Sequence, residues 1–190
     1  SQADLFAKTV RNGLLTGEST DKIARRLKGR LRFGDLGPLS VRQLAQAGGE
    51  LTSVANNQVM AMVRTSVNQV ANETSQQVYK ANQDVTKRYR YVATLDGKTS
   101  PICRALDGQE FEYGKGPKPP QHFNCRSTTV PVIDYEGLGV TPPPPSKRRS
   151  RDGLVPANQT YGQWLHNQSK ETKADILGPE KVPYFNRLAR

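Results

Sequence analysis

Cys103, His122 and Cys125 have the types and spacing that metal or thiol chemistry needs, in a C-x18-H-x2-C arrangement. Thiolate and imidazole are zinc ligands, and H-x2-C is a plausible half-site. Structural zinc takes four ligands, and only three soft donors stand here. Asp96 can supply a fourth, although it sits in an Asp96-Gly97 turn where Asp is favoured for local reasons. Two other readings fit the same residues. Cys103 and Cys125 can close a disulfide, or they are small buried thiols beside a histidine that ties a loop by hydrogen bonds. No cofactor or metal is expected on balance.

A Cys–His pair also suits nucleophilic catalysis when a third group orients it. Glu110-Phe111-Glu112 puts two carboxylates on one strand face. That is the spacing of the E-x-E of ADP-ribosyltransferases, in which a Ser-Thr-Ser strand precedes the glutamates. Here Ser127-Thr128-Thr129 follows them. No G-x-S-x-G, Walker A, H-E-x-x-H or G-x-G-x-x-G occurs, and Gly114-Lys115-Gly116-Pro117 lacks the K-[ST] ending of a phosphate loop. A non-enzyme is expected, with a transferase or toxin-like enzyme as the alternative.

The elements that must position these residues change period near residue 88. Val59, Val63, Val67, Val70, Thr74, Val78, Ala81 and Val85 recur every three or four residues. This predicts one helix from about residue 50 to 87, on the order of 50 Å long. Its other face is rich in Asn and Gln, including Asn72 and Gln76. An uncharged amide face suits contact with another protein or plain polar surface. Two short helices precede it: one over Asp4–Leu15 ending at Gly17, and one capped by Ser19 or Thr20 with Ile23, Ala24 and Leu27 inward. Phe33–Pro38 reads as a turn and Ser40-Val-Arg-Gln43 as a capping box. From Tyr89 to Leu95 the alternation is that of a strand. A short helix over Pro101–Leu106 and strands over Gln109–Tyr113 and Ser127–Ile133 follow. Pro131 argues for an edge.

Residues 136–158 read as a Pro-rich basic linker without packed structure, from Pro142–Pro145 and Lys147–Arg151. The tail from 159 to 190 opens on a second capping box, Thr160-Tyr-Gly-Gln163, and Ser169 caps a further helix. Its Tyr161, Trp164, Leu165, Tyr184 and Phe185 read as partner-binding anchors for a groove on a neighbour or on the same module. The resulting division is short helices over 1–50, a long helix plus α+β module over 51–135, the linker, and a docking tail. The fold class is α+β.

Charge separates the same parts. Lys and Arg number 28 against 17 Asp and Glu, a formal charge of +11, with pI near 9.9 and mean hydropathy −0.69. Residues 1–90 carry 14 basic and 7 acidic groups (net +7), residues 91–140 carry 5 and 6 (net −1), and residues 141–190 carry 9 and 4 (net +5). Basic flanks favour a polyanion, because each neutralised phosphate releases a condensed counterion. Arg25, Arg26, Arg30, Arg32, Lys147, Arg148, Arg149 and Arg151 are the expected phosphate contacts, made without sequence readout. No run of about 18 apolar residues exists, so no membrane is expected. Nothing reads as a signal peptide.

Tyr91-Val-Ala-Thr-Leu-Asp-Gly-Lys-Thr-Ser-Pro-Ile-Cys-Arg-Ala-Leu-Asp-Gly108, followed by Gly116-Pro-Lys-Pro-Pro-Gln-His-Phe-Asn-Cys-Arg126, resembles the phage Mu F-like head morphogenesis family of minor head proteins. The signature is an aromatic-led strand, T-x-D-x-R-T, a C-x-x-x-x-G turn, then P-P-x-H-x-N-C-R. Asp96, Cys103, His122, Cys125 and Arg126 are its motif residues here. The resemblance spans about residues 10–135 and, through Thr160–Leu165 and Ile176–Pro179, residues 159–188. Ser100 and Ser127 stand where many relatives have Cys, and Lys98 where Arg is usual, which weakens any inherited metal site. The resemblance implies a low-copy structural component of the virion, assembled in the host cytoplasm and lodged in the capsid interior or at the portal vertex. Its implied partners are the portal or major capsid protein, packaged double-stranded DNA and further copies of itself, with a role in DNA ejection.

Overall fold

The computed structural model describes residues 2–28 and 49–188. The expected turn at Phe33–Pro38, the capping box at Ser40 and the expected phosphate contacts Arg30 and Arg32 lie outside the described residues. The chain forms two compact units, Ser1–Ala71 with His122–Asn124, and Asn72–Gln121 with Cys125–Arg190.

The first unit is helical. α1 (Gln2–Leu15) ends as glycine dictates: Gly17 takes φ 68°, Glu18 N–H donates to the Gly13 carbonyl at 2.8 Å, and Gly17 N–H to that of Leu14 at 3.2 Å. α2 (Thr20–Lys28) turns Ile23, Ala24 and Leu27 inward, all fully buried, against Val10, Val59 and Val63. Gly13 lets the two helices approach, since a Cβ there would collide with Ile23.

α3 (Gly49–Ala81) serves both units. It stops before the predicted residue 87. Asn82 turns the chain, its carbonyl accepting from Val85 N–H at 3.1 Å and Thr86 N–H at 3.0 Å. The valine stripe is buried only in part: Val59 and Val63 are covered, whereas Val70 is 47% and Val78 55% exposed. Within the second unit the buried residues of α3 are Asn72 and Gln76. The Nδ2 of Asn72 donates to the Ser127 carbonyl at 3.4 Å, and the Nε2 of Gln76 donates to Thr129 Oγ1 at 3.0 Å. The amide face, at these two residues, therefore serves the protein's own sheet rather than a partner.

That sheet has the order β2-β1-β3, all antiparallel, from β1 (Thr86–Val92), β2 (Glu110–Glu112) and β3 (Thr128–Ile133). Pro131 lies on an edge strand, as its missing N–H requires. The side chains of Asn72 and Tyr79 donate to the Ser127 and Thr129 carbonyls at that edge, which would otherwise present an open ladder, and Gln76 bonds the Thr129 hydroxyl beside them. The two-residue period continues past β1, burying Tyr89, Tyr91, Ala93 and Leu95 in turn. α4 (Pro101–Leu106) starts with Ser100 as N-cap.

Residues 136–158 correct the expectation of an unpacked linker. Pro142–Pro145 lack regular structure, but β4 (Lys147–Ser150) and β5 (Gly153–Pro156) make a hairpin. Leu95 and Ser150 form a parallel bridge, and Arg151 N–H donates to the Leu95 carbonyl at 2.8 Å. The tail contributes α5 (Tyr161–His166) with its capping box complete, α6 (Lys170–Leu177) capped by Ser169, a 3-10 turn at Pro179–Lys181, and α7 (Val182–Leu188). Leu95, Tyr161, Trp164 and Leu165 are the buried heart of a core that also takes in Val155, Ile176, Leu177 and Phe185.

Candidate functional site

Of the three residues whose spacing suggested metal or thiol chemistry, Cys103 and Cys125 meet in the second unit with their sulfurs 3.8 Å apart. They are buried with Tyr91 and Ala93. Neither cysteine is in a disulfide, so the disulfide reading does not describe this structure. The Tyr91 hydroxyl is 3.3 Å from Cys103 Sγ. Burial drives this phenol far above its usual range, so it stays protonated. Burial also works to raise the Cys103 thiol, but hydrogen bonds with Ser100, Ser127, Tyr91 and Cys125 outweigh it and hold the thiol below its ordinary value. Within the second unit these two sulfurs are adjacent soft donors. His122 belongs to the first unit, where its Nδ1 donates to the Phe123 carbonyl at 2.8 Å.

Asp96 is held by Arg126 in a two-pronged pair, at 2.6 and 2.8 Å. It also accepts from Lys98 N–H at 3.0 Å and from the Thr99 hydroxyl at 3.1 Å. The Arg126 hydrogen bonds come first among the causes that hold its carboxyl below the usual range. Its oxygens are thus committed to an Asp-Gly turn and an ion pair. Glu110 and Glu112 are committed likewise. Glu110 binds Arg90 at 2.8 Å and Arg88 at 3.0 Å, while Glu112 binds Lys115 at 2.6 Å. Neither glutamate lines the cleft between Asp84 and Leu138 or the cleft beside Val92 and Arg149.

The densest polar cluster was invisible in the sequence. Asp107 has a fully buried side chain. It accepts from Ala93 N–H and from Tyr161 N–H, both at 2.6 Å, and pairs with Arg148 at 3.0 and 3.2 Å. Arg148 also donates to the carbonyls of Gln159 and Ala93. One carboxylate thus joins the end of β1, the hairpin and the first turn of α5. Arg104 makes a second tie: it donates to the Thr99 carbonyl at 2.6 Å and the Ile176 carbonyl at 3.0 Å, and stacks 5.4 Å over Tyr161. Gly108 permits the approach, since a Cβ there would lie 2.7 Å from Thr160.

These contacts settle where the predicted anchors go. Tyr161, Trp164 and Leu165 are each 2% exposed, inside the protein's own second unit. Trp164 donates its indole N–H to Asp152 at 3.2 Å. Phe185 packs on the same core, and Tyr184 alone of the five stands out, 63% exposed beneath Arg187. The groove these side chains fill is on the same module, so their assignment to an outside partner is corrected for all but Tyr184.

The expected phosphate contacts separate in the same way. Arg148 is an internal structural cation, which corrects its assignment to DNA. Arg26 binds Glu18 at 2.7 Å, and Arg25 is exposed. Arg126, Arg148, Arg149 and Arg151 line one cleft of about 470 Å³ with Val92 and Ala93 in its wall. Lys147 is exposed on β4.

A family model described as "Phage Mu protein F like protein" matches residues 4–130, which is 127 of the 190 residues. No curated protein and no solved structure matches the chain.

Proposed function

The chain belongs to the phage Mu protein F-like family, whose members serve head morphogenesis, and from that premise we propose that it is a minor structural protein of the virion, seated at the portal or capsid and touching packaged DNA. The observation that carries this reading is the family match itself, which runs through residues of both units. The chemistry of the site agrees with a structural role. Cys103 is 1% exposed, so it offers no thiol to a substrate, and Glu110 and Glu112 are neutralised by their own cations. No helix among the described residues is long and apolar enough to cross a membrane.

Contact with the portal, the major capsid protein or further copies of this chain would use exposed apolar side chains, among the described residues the aromatics Phe123 at 70% and Tyr184 at 63%. The formal charge of +11 suits a surface that lies against DNA. The test is a phage lacking this protein together with electron microscopy of wild-type heads. We expect the protein at a unique vertex, and DNA-filled heads to fall in number without it. Absence from purified heads, with unchanged head assembly, DNA retention and infectivity, would overturn the reading.

A further inference from the structure

We propose that the cleft where the end of β1, the start of β3 and β4 meet, faced by Arg126, Arg149 and Arg151, seats the phosphodiester backbone of double-stranded DNA. The inference rests on the reading of the protein as a DNA-contacting head component and names the site. Three observations carry it. First, Arg149 has no ion pair or hydrogen bond among the described residues, although it lines the cleft and is exposed. Second, its neighbours are held in place without being used up. A guanidinium has five N–H donors. Arg126 spends one from each terminal nitrogen on Asp96, and Arg151 spends its Nε on Asp152 at 2.9 Å and an Nη2 donor on Gln168 at 3.0 Å. Each therefore keeps N–H donors for an outside acceptor, on a side chain about half exposed. Third, the wall includes Val92 and Ala93, and the one carboxylate in its lining, Asp96, is neutralised by Arg126, so Arg149 and the outward donors of Arg151 and Arg126 set the sign of the cleft. Low-dielectric walls focus such a field on whatever enters.

The ligand that fits is rich in acceptor oxygens and anionic, with no need for donors of its own. A phosphodiester meets this description, and Arg favours phosphate because its planar fork can give two parallel bonds. Arginine contacts of this kind go to the backbone and carry no sequence readout. Arg148 also lines the cleft but is already spent on Asp107.

The experiment is fluorescence anisotropy of the full chain with a labelled 30-base-pair duplex across a salt series. Arg149→Glu is compared with Lys80→Glu, which changes net charge equally at an exposed residue in the last turn of α3, outside the cleft and outside the expected phosphate contacts. Unchanged melting curves check that each variant folds. We expect Arg149→Glu to weaken binding about tenfold at low salt and to reduce the log–log salt slope by about one, the loss of one phosphate contact. Lys80→Glu is expected to do much less. If Arg149→Glu weakens binding no more than Lys80→Glu does, the cleft is overturned while the DNA reading stands. If the unaltered protein shows no salt-dependent binding, both fall.

Discussion

The Asp107 carboxylate ties three segments of the second unit together. It accepts from two backbone N–H groups and an arginine, and is fully buried. Removing it would leave the Arg148 cation buried at 12% exposure without its partner. Asp107→Ala is therefore expected to cost about 3–5 kcal/mol, read as a shift of the urea unfolding midpoint. A loss within the range of an exposed pair would show that Arg148 finds water instead. In the sequence, Asp107 is one half of an Asp-Gly turn. Its partners lie 14, 41 and 54 residues away, so no local pattern marks it. Asp96 is different: its turn role was legible, and its pair with Arg126 gives a pH signature. The folded carboxyl titrates below its unfolded value, so its stabilisation is present above about pH 4 and is lost as pH falls through the lower, folded value. The urea midpoint of the unaltered protein should fall more steeply between pH 5 and pH 2 than that of Asp96→Asn. Parallel curves would remove the pair from the acid response.

At the scale of elements, periodicity identified α3 and the strand that follows it, because each repeats one local rule. It placed the buried stripe correctly at Val59 and Val63 but misjudged which face of α3 is buried in the second unit. Asn72 and Gln76 are buried because β3 supplies their partners more than 50 residues later, and no helical period encodes that. Asn72→Ala should cost about 1–3 kcal/mol, since it strips a partner from the Ser127 carbonyl and from the Thr128 hydroxyl, and thermal melting would measure it. A neutral result would mean that water replaces the amide. The capping box at Thr160 and the N-cap at Ser169 were readable because a cap is a local device. The β4–β5 hairpin was not readable. Its strands are four residues each, beside a proline run, and rich in charge, yet Arg148 and Ser150 turn inward. Trp164 shows the cost of that blindness. Trp164→Ala should destabilise the isolated protein by about 3–5 kcal/mol, the effect of emptying a core site. A variant that melts normally but fails to enter heads would restore the view of Trp164 as an outside anchor.

For the molecule as a whole, the sequence suggested a small folded centre with basic limbs reaching for neighbours. The second unit instead incorporates its tail: Leu95 of the motif region and Trp164 of the tail share one core. The Mu F-like signature was legible because it is a run of turn, cap and core residues in fixed order. What the tail packs against was not, because an aromatic anchor has the same composition whether its groove is foreign or its own. The central claim is that residues 147–168 are built into the head protein's second unit rather than tethered to it. Native-state hydrogen exchange on the intact, isolated chain tests this most directly. The account predicts that the amides of Arg151, Trp164 and Leu165 exchange as slowly as those of Tyr89 and Tyr91 in β1. Exchange of 147–168 at the rate of an open peptide, while β1 stays protected, would contradict it.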